Sequence, residues 1–211
     1  MLVPPNFVLS EDDAWHAVQQ RVFGTLVVGT STGFEATPLP WIASQDASGR
    51  NLRGHLSAAN PLVKFLQSPI DAVILFEVAD AYISPSWYPS KDVTGKVVPT
   101  WNYVSVHCHG KLERFEDPAE LHRNVHELTS RMENEREEPW KVTDAPKDYV
   151  DQLLGGIVGV CLRINRIEGK AKLSQNRSSA DATGAFTGLL REAPGSTLLP
   201  HQRNALKHLT D

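Results

Sequence analysis

The chain has 211 residues, 41% hydrophobic and 22% charged, the profile of a soluble globular protein with room for one sizeable domain. Its net charge of −4 argues against a strongly basic nucleic-acid surface, so DNA contact would need a local patch. The 2 Cys, Cys108 and Cys161, fall in apolar strand-like stretches, which excludes a disulfide framework and leads us to expect reduced, buried thiols in a cytoplasmic protein.

No apolar stretch approaches the length of a membrane span, and the N-terminus lacks the basic-then-apolar pattern of a signal peptide. Residues 1–9 read as an extended arm, since Pro4 and Pro5 oppose helix. Ser10 starts a helix with Glu11, Asp12 and Asp13 in its first turn, where the dipole favours acids. Trp15, Val18 and Val22 recur at helical spacing and face the core; Gly24 ends the helix. Thr25 to Thr30 is β-branched and reads as a strand, followed by a turn at STGFE. Thr37 to Ala43 is a strand interrupted by Pro38 and Pro40, hence irregular or at an edge. QDASGRN is a hairpin connection into a third strand, Leu52 to Leu56.

Asn60 then suits an N-cap, and Pro61 suits the first helical position. His55, Ser57 and Asn60 therefore lie at a strand-to-helix junction, a place that can bind phosphate; simple capping by Asn60 is the plainer alternative. Asp71 to Val78 reads as a central strand buried on both faces. The next stretch, YISPSWYPSKDVTGKVVPTWNY, is dense in Trp, Tyr, Ser and Pro. It reads as strand segments Tyr82 to Trp87 and Pro99 to Val106 joined by a polar loop, Ser90 to Lys96. Flat aromatic surface beside hydroxyl, amide and lysine groups suits a planar phosphorylated cofactor; an aromatic barrel corner would read the same way.

Val104 to Phe115 continues as a long strand on which His107 and His109 share a face; no third metal ligand is evident, and no metal site is assigned. Asp117-Pro118-Ala119-Glu120 opens a helix with an apolar stripe of Leu121, Val125, Leu128 and Met132, and with His122 and His126 on a solvated face. Glu133 to Glu138 is exposed, Lys147 to Leu154 is a short helix, and Gly155 and Gly156 stop it. Ile157 to Ile167 is a strand. Lys170 and Lys172 share a face at its end, with Gln175 and Asn176 following; these suit a phosphate or a pyrimidine-like edge, or simply an exposed basic strand end. Ser178 to Glu192 is a weak helix containing Gly184 and Gly188, and Gln202 to Leu209 a final short one.

GHLSAANP, YISPSWYPSK, VPTWNY with VHCHG, and GKAKLSQNR occur in that order, and together they resemble the PaiB-type FMN-binding negative transcriptional regulators. The resemblance implies a mainly β, α+β fold with peripheral helices, the FMN-binding split β-barrel, closed against free edges; a Greek-key sandwich is the alternative. It implies residues 1–176 as the barrel and 177–211 as a helical extension packed on the barrel or on a dimer partner. It implies a homodimer with FMN in a groove between subunits.

By position, His55, Ser57 and Asn60 fall in the phosphate-side segment, with Ala58 where the family motif carries Arg. Ser84, Trp87 and Tyr88 match SPSWY; Thr100, Trp101, Asn102 and Tyr103 match TWNY; Lys172, Gln175 and Asn176 match KLSQN. All are carried over as cofactor-site residues, without a catalytic assignment. Two other functions compete with regulation: an FMN-dependent oxidoreductase of the flavin reductase or pyridoxamine phosphate oxidase kind, and a haem-binding barrel.

Overall fold

The apolar run from Asp71 forms the middle of a strand paired along both edges, but its burial alternates: Ile74 and Phe76 are enclosed while Val73 and Leu75 are half-buried, against the expectation of burial on both faces. In a computed structural model, which describes residues 1–207, this strand runs Ile70–Ile83. In chain order the strands are β1 (Val8–Leu9), β2 (Phe23–Thr30), β3 (Gly33–Pro40), β4 (Ile42–Asp46), β5 (Gly49–Ser57), β6 (Ile70–Ile83), β7 (Thr100–Phe115) and β8 (Ile157–Lys172). Helices are α1 (Glu11–Gln20), α2 (Ser90–Thr94), α3 (Pro118–Glu133), α4 (Lys147–Leu154), α5 (Ser179–Glu192) and α6 (Leu199–Lys207). The last two residues of the helix expected at the C-terminus, His208 and Leu209, lie outside the described residues.

The strands order β3-β2-β6-β7-β8-β5-β4, with β1 beside β8. The ladders β1–β8, β2–β3, β2–β6, β4–β5 and β5–β8 are antiparallel, with Leu26 opposite Ile74 and Leu52 opposite Leu162, all four side chains fully enclosed. The order is an open path, so the sheet does not close, against the expectation of a closed barrel. End strand β3 carries Pro38 and Pro40, which have no N–H to offer a further strand.

The chain divides into two compact units. One comprises residues 1–17, 77–106 and 168–211; the other comprises 18–76 and 107–167. In the first, Leu173, Leu189, Leu198 and Leu199 form a core with Val104, Ala79 and Ala171. Gly184 and Gly188, which weaken α5 as an isolated helix, are explained there. A Cβ on Gly188 would stand 2.2 Å from Trp87 Cγ, and one on Gly184 2.2 Å from the Trp87 carbonyl oxygen. The helix gives up propensity to let the Trp87 backbone and ring approach it closely. In the second unit Trp41 is buried, its Nε1 donating to the Gly24 carbonyl at 3.3 Å.

Several expectations shift. Gly24 does not end α1; it sits in β2, where a Cβ would come 2.7 Å from the Phe76 ring. Tyr82 to Trp87 is not one strand: β6 ends at Ile83, and Pro85–Trp87 forms a 3₁₀ turn capped by the Ser84 hydroxyl, which accepts from Ser86 N at 3.2 Å. The polar loop after it contains the short helix α2, stopped by left-handed Gly95 at φ +66°. Thr37 to Ala43 is broken into β3 and β4 at buried Trp41. Met132 is exposed, whereas Asn124 on α3 is buried.

Cys108 is enclosed, and burial pushes its thiol up to about 12. Cys161 is half-buried and its thiol is likewise raised by burial. Among the described residues no helix is long and apolar enough to cross a membrane.

Candidate functional site

The carried-over residues fall into two groups, each brought together within its own unit. In the first unit the TWNY and KLSQN motifs lock onto one another. The Lys172 ammonium donates to Thr100 Oγ1 and, at 2.6 Å, to the Trp101 carbonyl. Asn102 is fully enclosed, and its Nδ2 donates to Ser174 Oγ at 2.9 Å. Ser174 holds φ +74°, a left-handed conformation that a side chain resists, so surrounding structure must impose it. Gln175 supplies part of that constraint. Its Oε1 accepts from Leu173 N and its Nε2 donates to the Ala171 carbonyl, both at 2.6 Å. Asn176 is exposed.

This interlock leaves the Trp101 ring 55% exposed, set edge-on to the exposed Tyr82 with centroids 6.1 Å apart. Lys170 lies 5.3 Å from the Tyr103 ring centroid, and the Arg177 guanidinium 4.9 Å from that of Tyr88. Burial, and then the like charges of Lys170 and Arg177, hold the Lys172 ammonium below the usual lysine range. The SPSWY side chains are engaged in packing. Trp87 donates from Nε1 to Glu192 Oε1 at 3.0 Å, Tyr88 is buried beside Ile83 and Ala185, and Ser84 caps its turn. Ser90 reinforces the corner, with its N–H and hydroxyl both donating to the buried Asp181 carboxylate at 3.0 and 2.7 Å.

In the second unit His55, Ser57 and Asn60 line a cleft of about 610 Å³ with Thr37, Pro38 and Leu153. Asn60 caps a 3₁₀ turn, Pro61–Phe65, accepting from Leu62 N at 2.9 Å, while its Nδ2 donates to Thr37 Oγ1 at 3.4 Å. Ser57 Oγ accepts from Ala59 N at 3.3 Å. His55 Nδ1 meets Asn124 Oδ1 at 3.1 Å. Asn124 was missed by sequence reasoning; the available signal was a polar residue three positions after Leu121, inside the apolar stripe. Ala58 donates its N–H to the Gly156 carbonyl at 2.9 Å and lines a different cleft with Glu116 and Asp151.

A family model described as "Putative FMN-binding domain" matches residues 1–166. The chain belongs to this FMN-binding family. It is 31% identical over 193 residues to the protease synthase and sporulation protein PAI 2 of Bacillus subtilis, spanning 91% of this chain and 90% of that protein. It is 35% identical over 178 residues to an uncharacterized Aspergillus fumigatus protein, spanning 69% of this chain and 68% of the relative. A solved FAD and haem binding protein from Mycobacterium smegmatis superposes with a TM-score of 0.57 at 14% identity, covering 77% of this chain and 71% of that one.

The fold is thus of the flavin-binding split-barrel class, α+β with a mostly antiparallel sheet, and FMN is the family's cofactor. The residues of the first unit fit such a group. Lys170, Lys172 and Arg177 bring cationic donors beside the paired motifs, suited to the carbonyl-bearing edge of a flavin ring. Trp101 and Tyr82 offer exposed planar surface, and Asn102 Oδ1 is an enclosed acceptor without a partner among the described residues.

Proposed function

We propose that this FMN-binding chain works as a homodimer, with the cofactor in a groove between subunits, and that FMN occupancy governs a regulatory output of the PaiB type. The reading is supported above all by the paired motifs: Lys172 joins Thr100 and Trp101, so the cation and the exposed indole arrive as one unit. In this reading Trp101, Tyr103 and Lys172 meet the cofactor, with Thr100, Asn102 and Gln175 setting their positions and exposed Asn176 flanking them. Ser84, Trp87 and Tyr88 hold the corner behind them, and His55, Ser57 and Asn60 take the phosphate side. Bound FMN would supply a reversible two-electron centre. The chain's own groups would orient the ring and hydrogen-bond the phosphate.

The test is an absorbance spectrum of purified protein before and after FMN addition and gel filtration. A retained flavin band near one FMN per subunit, at dimer elution volume, is expected. A colourless protein eluting as a monomer would overturn the reading. Regulation by direct DNA contact would further require a specific, salt-dependent complex despite the net charge of −4. Oxidation of reduced nicotinamide faster than by free flavin would instead favour an oxidoreductase.

A further inference from the structure

Helix α3 lies along β5 in a matched register. Glu120 Oε2 is 3.6 Å from Arg53 Nη2, and Asn124 Oδ1 is 3.1 Å from His55 Nδ1. Four residues of helix rise about 6 Å and two of strand about 6.6 Å, so successive pairs stay aligned. The first pair is a partly exposed ion pair, ordinary for a helix resting on a sheet. The second is different. Asn124 is 1% exposed, and its Nδ2 is enclosed without a partner among the described residues. A buried amide satisfied at only one end is a poor choice for stability, because the unpaired N–H keeps its full desolvation cost. What Asn124 does accomplish is to accept from the imidazole of a residue that lines the 610 Å³ cleft.

We infer that Asn124 is a positioning residue that holds His55 by Nδ1–H, leaves Nε2 as the ring nitrogen presented to the cleft, and so makes the cleft selective for a phosphorylated flavin over the dephosphorylated one. This rests on the reading that the His55 to Asn60 segment takes the phosphate. With Nδ1 occupied, Nε2 is the remaining site for a proton shared with a phosphate monoester, whose second ionisation lies near pH 6, roughly. Either the monoanion donates P–O–H to the neutral ring or the imidazolium donates Nε2–H to the dianion. The pair holds one proton in both forms. The Ser57 hydroxyl lines the same cleft, and its oxygen already accepts from Ala59 N, so its O–H is oriented away from that bond. Riboflavin has the same ring and ribityl chain without the phosphate, so it reports everything except this contact.

The experiment uses the full chain as wild type, Asn124→Leu and Asn124→Asp. Affinities for FMN and riboflavin are measured by flavin fluorescence, and the His55 tautomer by imidazole ¹⁵N shifts assigned against His55→Gln. The wild type is expected to show the Nδ1–H tautomer and to prefer FMN. Asn124→Leu removes the acceptor at similar volume. It should fold with an unchanged or higher melting temperature, keep its riboflavin affinity, and lose roughly tenfold or more of the FMN preference. Asn124→Asp keeps an acceptor and should keep the preference. A full FMN preference in Asn124→Leu, an equal loss of both flavins, or an Nε2–H tautomer in the wild type would overturn the positioning role. A wild type that binds both flavins equally would sink the phosphate assignment itself, a result distinguishable from the others because it needs no variant.

Discussion

Around Thr100 and Lys172, side-chain polar groups are bonded mostly to the partner motif or to their own backbone: Lys172 to Thr100 and Trp101, Asn102 to Ser174, Gln175 to residues 171 and 173. Around His55, the polar groups line an open cleft and hold local turns, with side-chain ties from His55 to Asn124 and from Asn60 to Thr37. The first region is rigid by mutual constraint and even sustains a left-handed Ser174. The second is a set of caps whose remaining hydrogen-bonding capacity faces a cavity. A change among the interlocked groups of the first region should therefore register mainly in stability, and a change at its exposed Trp101 or in the second region mainly in what is bound.

The largest expected effect is on the first side. Gly188→Leu drives a side chain into the Trp87 ring, where even a Cβ meets Cγ at 2.2 Å, and should cost about 3 kcal/mol or more, read as a fall in urea midpoint. Asn102→Leu removes the enclosed bond to Ser174 and should cost about 1–3 kcal/mol by the same measurement. If instead it proves neutral, the two motifs are not mutually braced. On the other side, Asn60→Ala loses the cap on Leu62 and the tie to Thr37, worth about 1 kcal/mol, with a disproportionate loss of FMN affinity in titration.

A pH scan sharpens the contrast further. Because burial and neighbouring cations depress the Lys172 value in the folded chain, the unfolded chain binds more protons between that value and the ordinary lysine value. Stability of the ligand-free protein should then rise with pH across that alkaline window, and Lys172→Met should remove its share of the rise. The Cys108 thiol works in the opposite direction: its folded value of about 12 lies above the ordinary 9.0, so its stabilising contribution fades as pH climbs past 9. Cys108→Ala separates the two. The smallest effect on folding should come from Trp101→Ala, within about 0.5 kcal/mol because the ring is exposed, while FMN retention on gel filtration falls.

Hydrophobic period and caps were legible from local chemistry. Ser10 and Asn60 cap as their types suggest, the Asp117 carboxylate accepts from Glu120 N at 3.0 Å, and α4 spans the predicted Lys147–Leu154. The central strand was legible as an apolar run, although the structure encloses only one of its faces. The motif order was enough to indicate the flavin-binding family. Local chemistry could not show why Gly24, Gly184 and Gly188 are glycines, because the reason is close approach of a distant segment: the Phe76 ring for the first, the Trp87 carbonyl for the second and the Trp87 ring for the third. Nor could it show that Gln175 braces its own turn, or that Asn124, a polar break in an apolar stripe, reaches His55 across 69 positions. Period, caps and motifs depend on neighbours a few residues apart and are written in the chain. Close approach, burial of an amide and the pairing of two motifs depend on which remote surfaces meet, and only the tertiary structure decides that.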